Sequence, residues 1–274
     1  MRVQTEEWQR FIPGVRMYKG KKTLFYNGEK LCKSGFYRCY KKEERQTWEV
    51  IIVLPGVEVI PEWTFWSCSN VETVIMADTV RRIESSAFSN CEKVAFVKLS
   101  TSLEYIGTFA FSTCATLTSI FIPPSCQEVD NVAFKDCSEL MIFIVPLHTR
   151  FRRCVIANTA LIKASPFEID NEGSYANTHE VNQWIKTINW NDNGNRRMGM
   201  NEEYSLHRAC SSFNPMEEII YGIVQREMGL GVFQRKNSIG ITPSQYLKAN
   251  PYADIDERQI MKRFVLDMIG ENLL

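Results

Sequence analysis

Between Val57 and His148 the chain repeats itself every 23 residues, and a fixed period limits the possible folds more sharply than composition does. In register the copies read VEVIPEWTFWSCSNVETVIMADT, VRRIESSAFSNCEKVAFVKLSTS, LEYIGTFAFSTCATLTSIFIPPS and CQEVDNVAFKDCSELMIFIVPLH. Phe65, Phe88, Phe111 and Phe134 share one position, and Cys68, Cys91, Cys114 and Cys137 share another. After each cysteine three apolar residues recur at L-x-x-L-x-L spacing: Val71, Val74 and Met76; Val94, Val97 and Leu99; Leu117, Ile120 and Ile122; Leu140, Phe143 and Val145. A unit of this length cannot bury its apolar face alone, so the copies must stack into a solenoid.

With 274 residues the chain has room for one or two domains, and 45% hydrophobic residues supply a substantial core. Thirty-two basic residues balance thirty-two acidic ones. The basic clusters (Lys19, Lys21 and Lys22; Arg81 and Arg82; Arg150, Arg152 and Arg153) are scattered rather than gathered into a stripe, so no nucleic-acid partner is expected. The opening MRVQTEEWQR lacks the apolar run of a secretory signal. The apolar runs VIIVLPGV and LMIFIVPL are far short of the ~20 residues that span a bilayer, so no membrane partner is expected. These features, with an odd count of nine cysteines, place the chain in a reducing cytoplasmic or nuclear setting.

Residues 1–47 do not follow the repeat and read as a small β-rich cap on the first open edge. Asn27-Gly28, between Thr23–Tyr26 and Glu29–Cys32, predicts a hairpin, and Lys19-Gly20 predicts a second turn. Trp48, Ile51 and Val53 stand one period ahead of Val71, Val74 and Met76 and form a half-repeat. Each full repeat pairs a short strand with an arm, such as Ile106 to Cys114, that is a tight turn or short helix. Ala87, Ala110 and Ala133 precede the phenylalanines and let neighbouring arms sit close, with Thr64 the exception. After His148 the period fails; Ala157, Ala160 and Ile162 predict a shortened sixth strand before the stack stops near Pro166.

Residues 168–177 read as loop. Thr178 is placed to cap a helix with Val181, Trp184, Ile185 and Ile188 on one face. The Asn- and Gly-rich stretch from Asn189 to Asn201 reads as a flexible connector. Asn214-Pro215 opens a helix with Ile219, Ile220, Ile223 and Val224 inward, and Asp256 opens another with Ile260, Phe264, Val265 and Met268 inward and Gly270 as its stop.

The repeat resembles the BspA-type leucine-rich repeat, A-F-x-x-C-x-x-L-x-x-I-x-I-P, which AFSTCATLTSIFIP from Ala110 to Pro123 matches at nearly every marked position. The resemblance covers about ninety residues in four copies. The C-terminal part resembles a degenerate ankyrin pair: Leu206, His207 and Ala209 keep the L-H-x-A half of T-P-L-H-x-A, and Thr242 and Pro243 keep the other half. Tyr204, Ser205, Ser244, Gln245 and Leu247 depart from it, and Leu206 to Ser244 is thirty-eight residues against the usual ~33. Two such repeats are too few for independent stability, so residues 204–274 are expected to lean on what precedes them. Both resemblances imply protein–protein contact rather than catalysis, with no functional residue carried over.

Four evenly spaced cysteines invite a zinc reading, but zinc needs ligands converging tetrahedrally, and a solenoid sets equivalent residues in a line about 4.8 Å apart. Buried, reduced thiols are therefore expected, with no metal and no cofactor. His148, His179 and His207 are the three histidines; His207, in the ankyrin-like opening, is expected to bond backbone. No Ser–His or Cys–His elbow and no glycine-rich phosphate loop is present, so no catalytic residue is expected.

Residues between the packed strand positions point to the other face. One column reads Val50, Thr73, Phe96, Ser119 and Ile142; the next reads Ile52, Ile75, Lys98, Phe121 and Ile144. An exposed apolar face of this kind marks an interaction site, with Ile52, Ile75, Phe96, Lys98, Phe121, Ile142 and Ile144 as its candidate protein-binding residues. Its projected area is about 240 Å², against ~800 Å² per partner in a standard interface, so it suits a peptide, a loop or one helix. Either an external ligand docks there, or the chain covers the face with its own segment, the helix bearing Trp184 being the internal candidate.

The expected fold is an α/β repeat protein: a leucine-rich-repeat solenoid of short strands and short helical arms, then an α-helical ankyrin-like module. The expected divisions are a cap at 1–47, the solenoid at 48–166, a helix and linker at 167–203 and the ankyrin-like module at 204–274. The expected function is a non-enzymatic protein-interaction scaffold or adaptor, the alternative being a cell-surface or adhesive repeat protein.

Overall fold

The computed structural model describes residues 14–28, 42–170, 174–176, 178–188, 202–212, 215, 217–227, 231–237, 239–254, 259–260 and 263. The chain divides into two compact units, Met1–Gln183 and Trp184–Leu274.

The first unit is a β-solenoid of about five turns. Its main sheet begins with β1 (Gly14–Tyr18) and β2 (Lys21–Tyr26), an antiparallel hairpin. Lys19 and Gly20 close the hairpin with φ of 49° and 80°, the two positive values that a right-twisted two-residue turn requires. A one-turn helix, α1 (Lys42–Arg45), precedes β3 (Val50–Val53), and β2 pairs in parallel with β3, so the cap supplies a strand to the first open edge. Asn27-Gly28 ends β2; the strand expected at Glu29–Cys32 lies outside the described residues.

Each turn places one longer strand in the main sheet and a two-residue strand in a second sheet. After β3 come β4 (Val59–Ile60), β5 (Thr73–Met76), β6 (Arg82–Ile83), β7 (Phe96–Lys98), β8 (Tyr105–Ile106), β9 (Ser119–Phe121), β10 (Glu128–Val129), β11 (Ile142–Ile144) and β12 (Arg150–Phe151). The register Val50–Thr73–Phe96 and Ser119–Ile142 keeps equivalent residues abreast, because the period equals one turn. Inside, the phenylalanines form a stack with ring centroids 4.9, 5.1 and 5.3 Å apart. Tyr26 closes the stack edge-on against Phe65, and Phe143 does so against Phe134.

The arms are turns rather than helices. Two residues of each arm, Trp63 and Ser67 and their successors through Cys154 and Asn158, hold φ between 49° and 62°. This left-handed backbone breaks any helical run. It directs the N–H groups of residues 63, 65 and 67 of one turn to the carbonyls of residues 85, 87 and 89 of the next. Three such bonds, 2.8–3.2 Å long, recur at each step from the Trp63 turn to the Cys154 turn, so three columns of peptide groups run along the arm with every dipole aligned.

The expected sixth strand is instead a short helix, α2 (Ala160–Lys163), preceded by an arm at Arg153–Asn158. Between Glu128 and Arg150 the spacing shrinks to twenty-two, which brings Thr159 into the cysteine column. Its hydroxyl donates to Ile156 O at 2.9 Å and accepts from Ile162 N at 3.2 Å, an N-cap that starts a helix.

Helix α3 (Thr178–Ile188) buries Val181 and Ile185, with Trp184 half-buried. In the second unit α4 (Glu202–Ser211) packs on α5 (Glu217–Glu227) and α6 (Pro243–Ala249), and a 3-10 turn at Val232–Gln234 packs on α6. Ile220, Ile223 and Val224 are buried as their spacing predicts. Thr242 and Gln245 form a reciprocal capping box at α6, with Pro243 in the first turn. The Asn189–Asn201 connector falls outside the described residues, as do Asp256, Phe264, Val265, Met268 and Gly270; Ile260 is helical and buried.

Candidate protein-binding face

The columns expected on the outer strand face are those the register produces, but the face is not exposed. Ile52, Ile75, Phe121, Ile142 and Ile144 are each no more than 7% accessible. Phe25, Val50, Ile52, Leu54, Ile75 and Ala77 pack as one buried cluster, with Phe96 against it. The expectation of an open apolar face is corrected here, and the burial arises within a single chain. The physical reason is size: leaving ~240 Å² of aliphatic surface wet costs on the order of 6 kcal/mol, comparable with a domain's whole stability.

What stays partly accessible is the centre of the face. Phe96 and Lys98 of β7 are half-buried, as are Thr73 beside them on β5 and Ser119 on β9. The strand ladder also changes there: β1 through β7 pair continuously and β9 pairs with β11, while among the described residues no ladder pairing joins β7 to β9. The structure thus keeps two of the seven candidate residues, Phe96 and Lys98, in an opening and closes the other five. Strand periodicity could not reveal this, because it assigns a residue to a face without saying what lies over that face.

The outward row of the second sheet is polar and internally paired. The Arg82 guanidinium lies 4.2 Å over the Tyr105 ring, and the Tyr105 hydroxyl donates to Asp130 at 2.8 Å. Burial, aided by that bond, pushes the Tyr105 phenol up to about 12. Arg152 Nε donates to Glu128 at 2.6 Å.

The cysteine column is buried and bonded to backbone. Thiols of Cys91, Cys114 and Cys137 donate to the carbonyls of Phe65, Phe88 and Phe111, one turn back, at 3.1, 3.4 and 3.1 Å. Burial pushes the Cys91 and Cys114 thiols well up, and the neighbouring thiols Cys68 and Cys137 add to this. Among the described residues no group of three His, Cys, Asp or Glu could hold a metal ion, and no helix is long and apolar enough to cross a membrane. His207 is buried, with Nε2 3.1 Å from the Ile241 carbonyl. A carbonyl only accepts, so Nε2 carries the proton.

Residues 58–172 match the family described as BspA type leucine rich repeat region, in 6 copies. Over residues 58–172 the solenoid is built of BspA-type leucine-rich repeats. A leucine rich cell surface protein of Faecalibacterium prausnitzii is similar at 28% identity and TM-score 0.36, over 37% of this chain and 27% of that one. The leucine rich repeat protein of T. pallidum is similar at 26% identity and TM-score 0.37, over 41% and 56%. A leucine-rich repeat protein of Bacteroides capillosus is similar at 24% identity and TM-score 0.34, over 47% and 91%. The chain therefore spans about a quarter of the first of these proteins and little over half of the second. No curated protein matches the chain.

Proposed function

We propose that this BspA-type solenoid is a non-catalytic recognition scaffold for another protein or peptide, and that contact is made at the open centre of its strand face. The observation that carries this reading is the half-buried Phe96 and Lys98, flanked by the half-buried Thr73 and Ser119, on a face whose other residues Ile52, Ile75, Phe121, Ile142 and Ile144 are closed. An aromatic ring beside an ammonium group and two hydroxyls, Thr73 and Ser119, offers an apolar anchor with a polar surround, the usual anatomy of a contact centre. The opening suits a loop tip or a short peptide, because it is far smaller than the ~800 Å² of a standard partner surface. A reducing intracellular setting belongs to the same reading, supported by free thiols at Cys68, Cys91, Cys114, Cys126, Cys137, Cys154 and Cys210.

The helical unit enters the proposal as a degenerate ankyrin-like pair. The packing of α4 on α5, the Thr242-Pro243 start of α6 and the His207 bond to Ile241 support that reading.

The test is affinity capture with the full chain and with a Phe96→Ala/Lys98→Glu variant of unchanged melting temperature. The native chain is expected to retain a defined protein that the variant loses. Equal retention by both would remove the strand-face reading. Recovery of the protein from the outer surface on fractionation would favour the adhesive alternative instead.

A further inference from the structure

The aligned peptide columns of the arm have a physical end at Cys154, Ile156 and Asn158. In each column the N–H of one turn bonds the carbonyl of the next, as Phe65 to Ala87, Phe88 to Ala110, Phe111 to Ala133 and Phe134 to Val155. Parallel sheets point their bonds both ways and nearly cancel, whereas these columns add. With turns stacked 4.9–5.3 Å apart, three peptide dipoles of ~3.5 D per step give about 2.1 D per Å of axis. An α-helix gives about 2.3 D per Å, so the arm ends carry roughly the half-charge of a helix terminus.

The two ends are chemically opposite. At the carbonyl end, the Arg45 guanidinium donates to Trp66 O at 2.8 Å, a cation on the negative pole. At the other end, among the described residues, no further turn meets the N–H groups of Cys154, Ile156 and Asn158, which end the columns on a backbone that is left-handed at Cys154 and Asn158 and present fixed partial positive charge to an anion. Arg153, next to Cys154 in sequence, is exposed.

Tyr175 occupies this pole. It is 4% exposed, and its buried hydroxyl faces the N–H groups of Ile156 and Val155 without a well-formed hydrogen bond among the described residues. Burial pushes the phenol up, against a pull downwards from the N–H groups of Ile156 and Val155 that it faces. The Cys154 thiol, 3.8 Å from the Tyr175 carbonyl, pins the segment in place.

We propose that the positive pole of the arm, at the N–H groups of Cys154, Ile156 and Asn158, is an oxyanion-binding site closed by the Tyr175 hydroxyl. Its ligand is a carboxylate or phosphate oxygen, which would satisfy the N–H groups better than a neutral phenol does. Displacing Tyr175 opens the site, so the segment Ser174–Ala176 is a plug rather than part of the solenoid's core.

The test titrates full-length Tyr175→Ala protein with inorganic phosphate, then acetate, with sodium chloride at equal ionic strength as control, following backbone amide resonances. Saturable shifts at Cys154, Ile156 and Asn158 are expected, absent with chloride and much reduced in native protein. Response to phosphate alone would assign the site to phosphate; response to both would assign it to oxyanions generally. A folded variant with no saturable shift would overturn the proposal. Adding Arg153→Gln should leave the shifts in place, and their complete loss would show side-chain charge, not the N–H row, to be the binder. Should the alanine variant not fold, Tyr175→Phe keeps the ring. It must then exchange the Ile156 amide proton faster than native protein while the Phe88 amide is unchanged, and equal exchange at Ile156 would overturn the proposal.

Discussion

The ring of Phe111 lies 5.1 Å from that of Phe88 and within 2° of parallel, and each ring is fully buried. The two residues are one period apart in sequence, so the stack is the direct physical consequence of the repeat. Truncating a ring inside it removes contacts on both neighbouring turns. Phe111→Ala is expected to cost about 3–5 kcal/mol, read as a lower urea midpoint. Because each turn touches only its neighbours, the loss should also split the transition into two parts. A single, unshifted transition would contradict the stack's role.

Val132 holds a φ of 50°, a conformation costly for a β-branched residue. The equivalent backbone in the other left-handed column is held at Asn90 and Asn158, residues that tolerate it. Val132→Asn is therefore expected to stabilise the solenoid by roughly 0.5–1 kcal/mol, and Asn90→Val to destabilise it by a similar amount. Thermal melting of both variants checks the pair, and the signs must be opposite.

The main sheet and its register were legible because Phe, Cys and three apolar positions recur without a gap from Phe65 to Val145. The second sheet was not, because Arg82–Ile83 and its equivalents are two residues long and show no alternation to read. The arm's left-handed residues are Trp, Ser, Phe, Val, Cys, Asn, Thr and Asp rather than glycine, so the strongest sequence cue is missing and only Asn90, Asp136 and Asn158 hint at the conformation. The candidate face was assigned correctly in register and wrongly in exposure. Ile75 pairs abreast of Lys98 as its position requires, yet burial depends on what covers the sheet, which a strand's own pattern does not encode.

The buried thiols make stability sensitive to alkali. Burial first, and the Glu128 carboxylate after it, push Cys126 up to about 12, while the Glu128 backbone N–H pulls the other way. Cys91 and Cys114 are also raised. In the unfolded chain these thiols ionise near ~8.5. Their contribution is therefore complete below pH ~8.5 and is lost as pH rises from there towards the folded value, by up to about 1.4 kcal/mol per pH unit for each thiol. Urea midpoints at neutral pH and at about pH 10 should show the fall, and a Cys91→Ala/Cys114→Ala variant should show a shallower one. A thiol reagent should find nine groups in denatured protein and miss the repeat cysteines in native protein.

Arg45 sits where the arm's columns present a carbonyl with no preceding turn to satisfy it, at 2.8 Å from Trp66 O. Arg45→Met keeps much of the side chain's length and removes the charge, so packing is changed little and the pole is left bare. A charged hydrogen bond is worth about 1.5–3 kcal/mol when well shielded, and Arg45 is partly exposed, so a loss of about 1 kcal/mol is expected. Salt screens such a contact, so the difference between native and variant midpoints should shrink at high ionic strength. A purely packing role for Arg45 would leave that difference independent of salt. The same measurement on Arg45→Lys separates charge from geometry: a lysine restores the cation at the negative pole and should recover part of the loss.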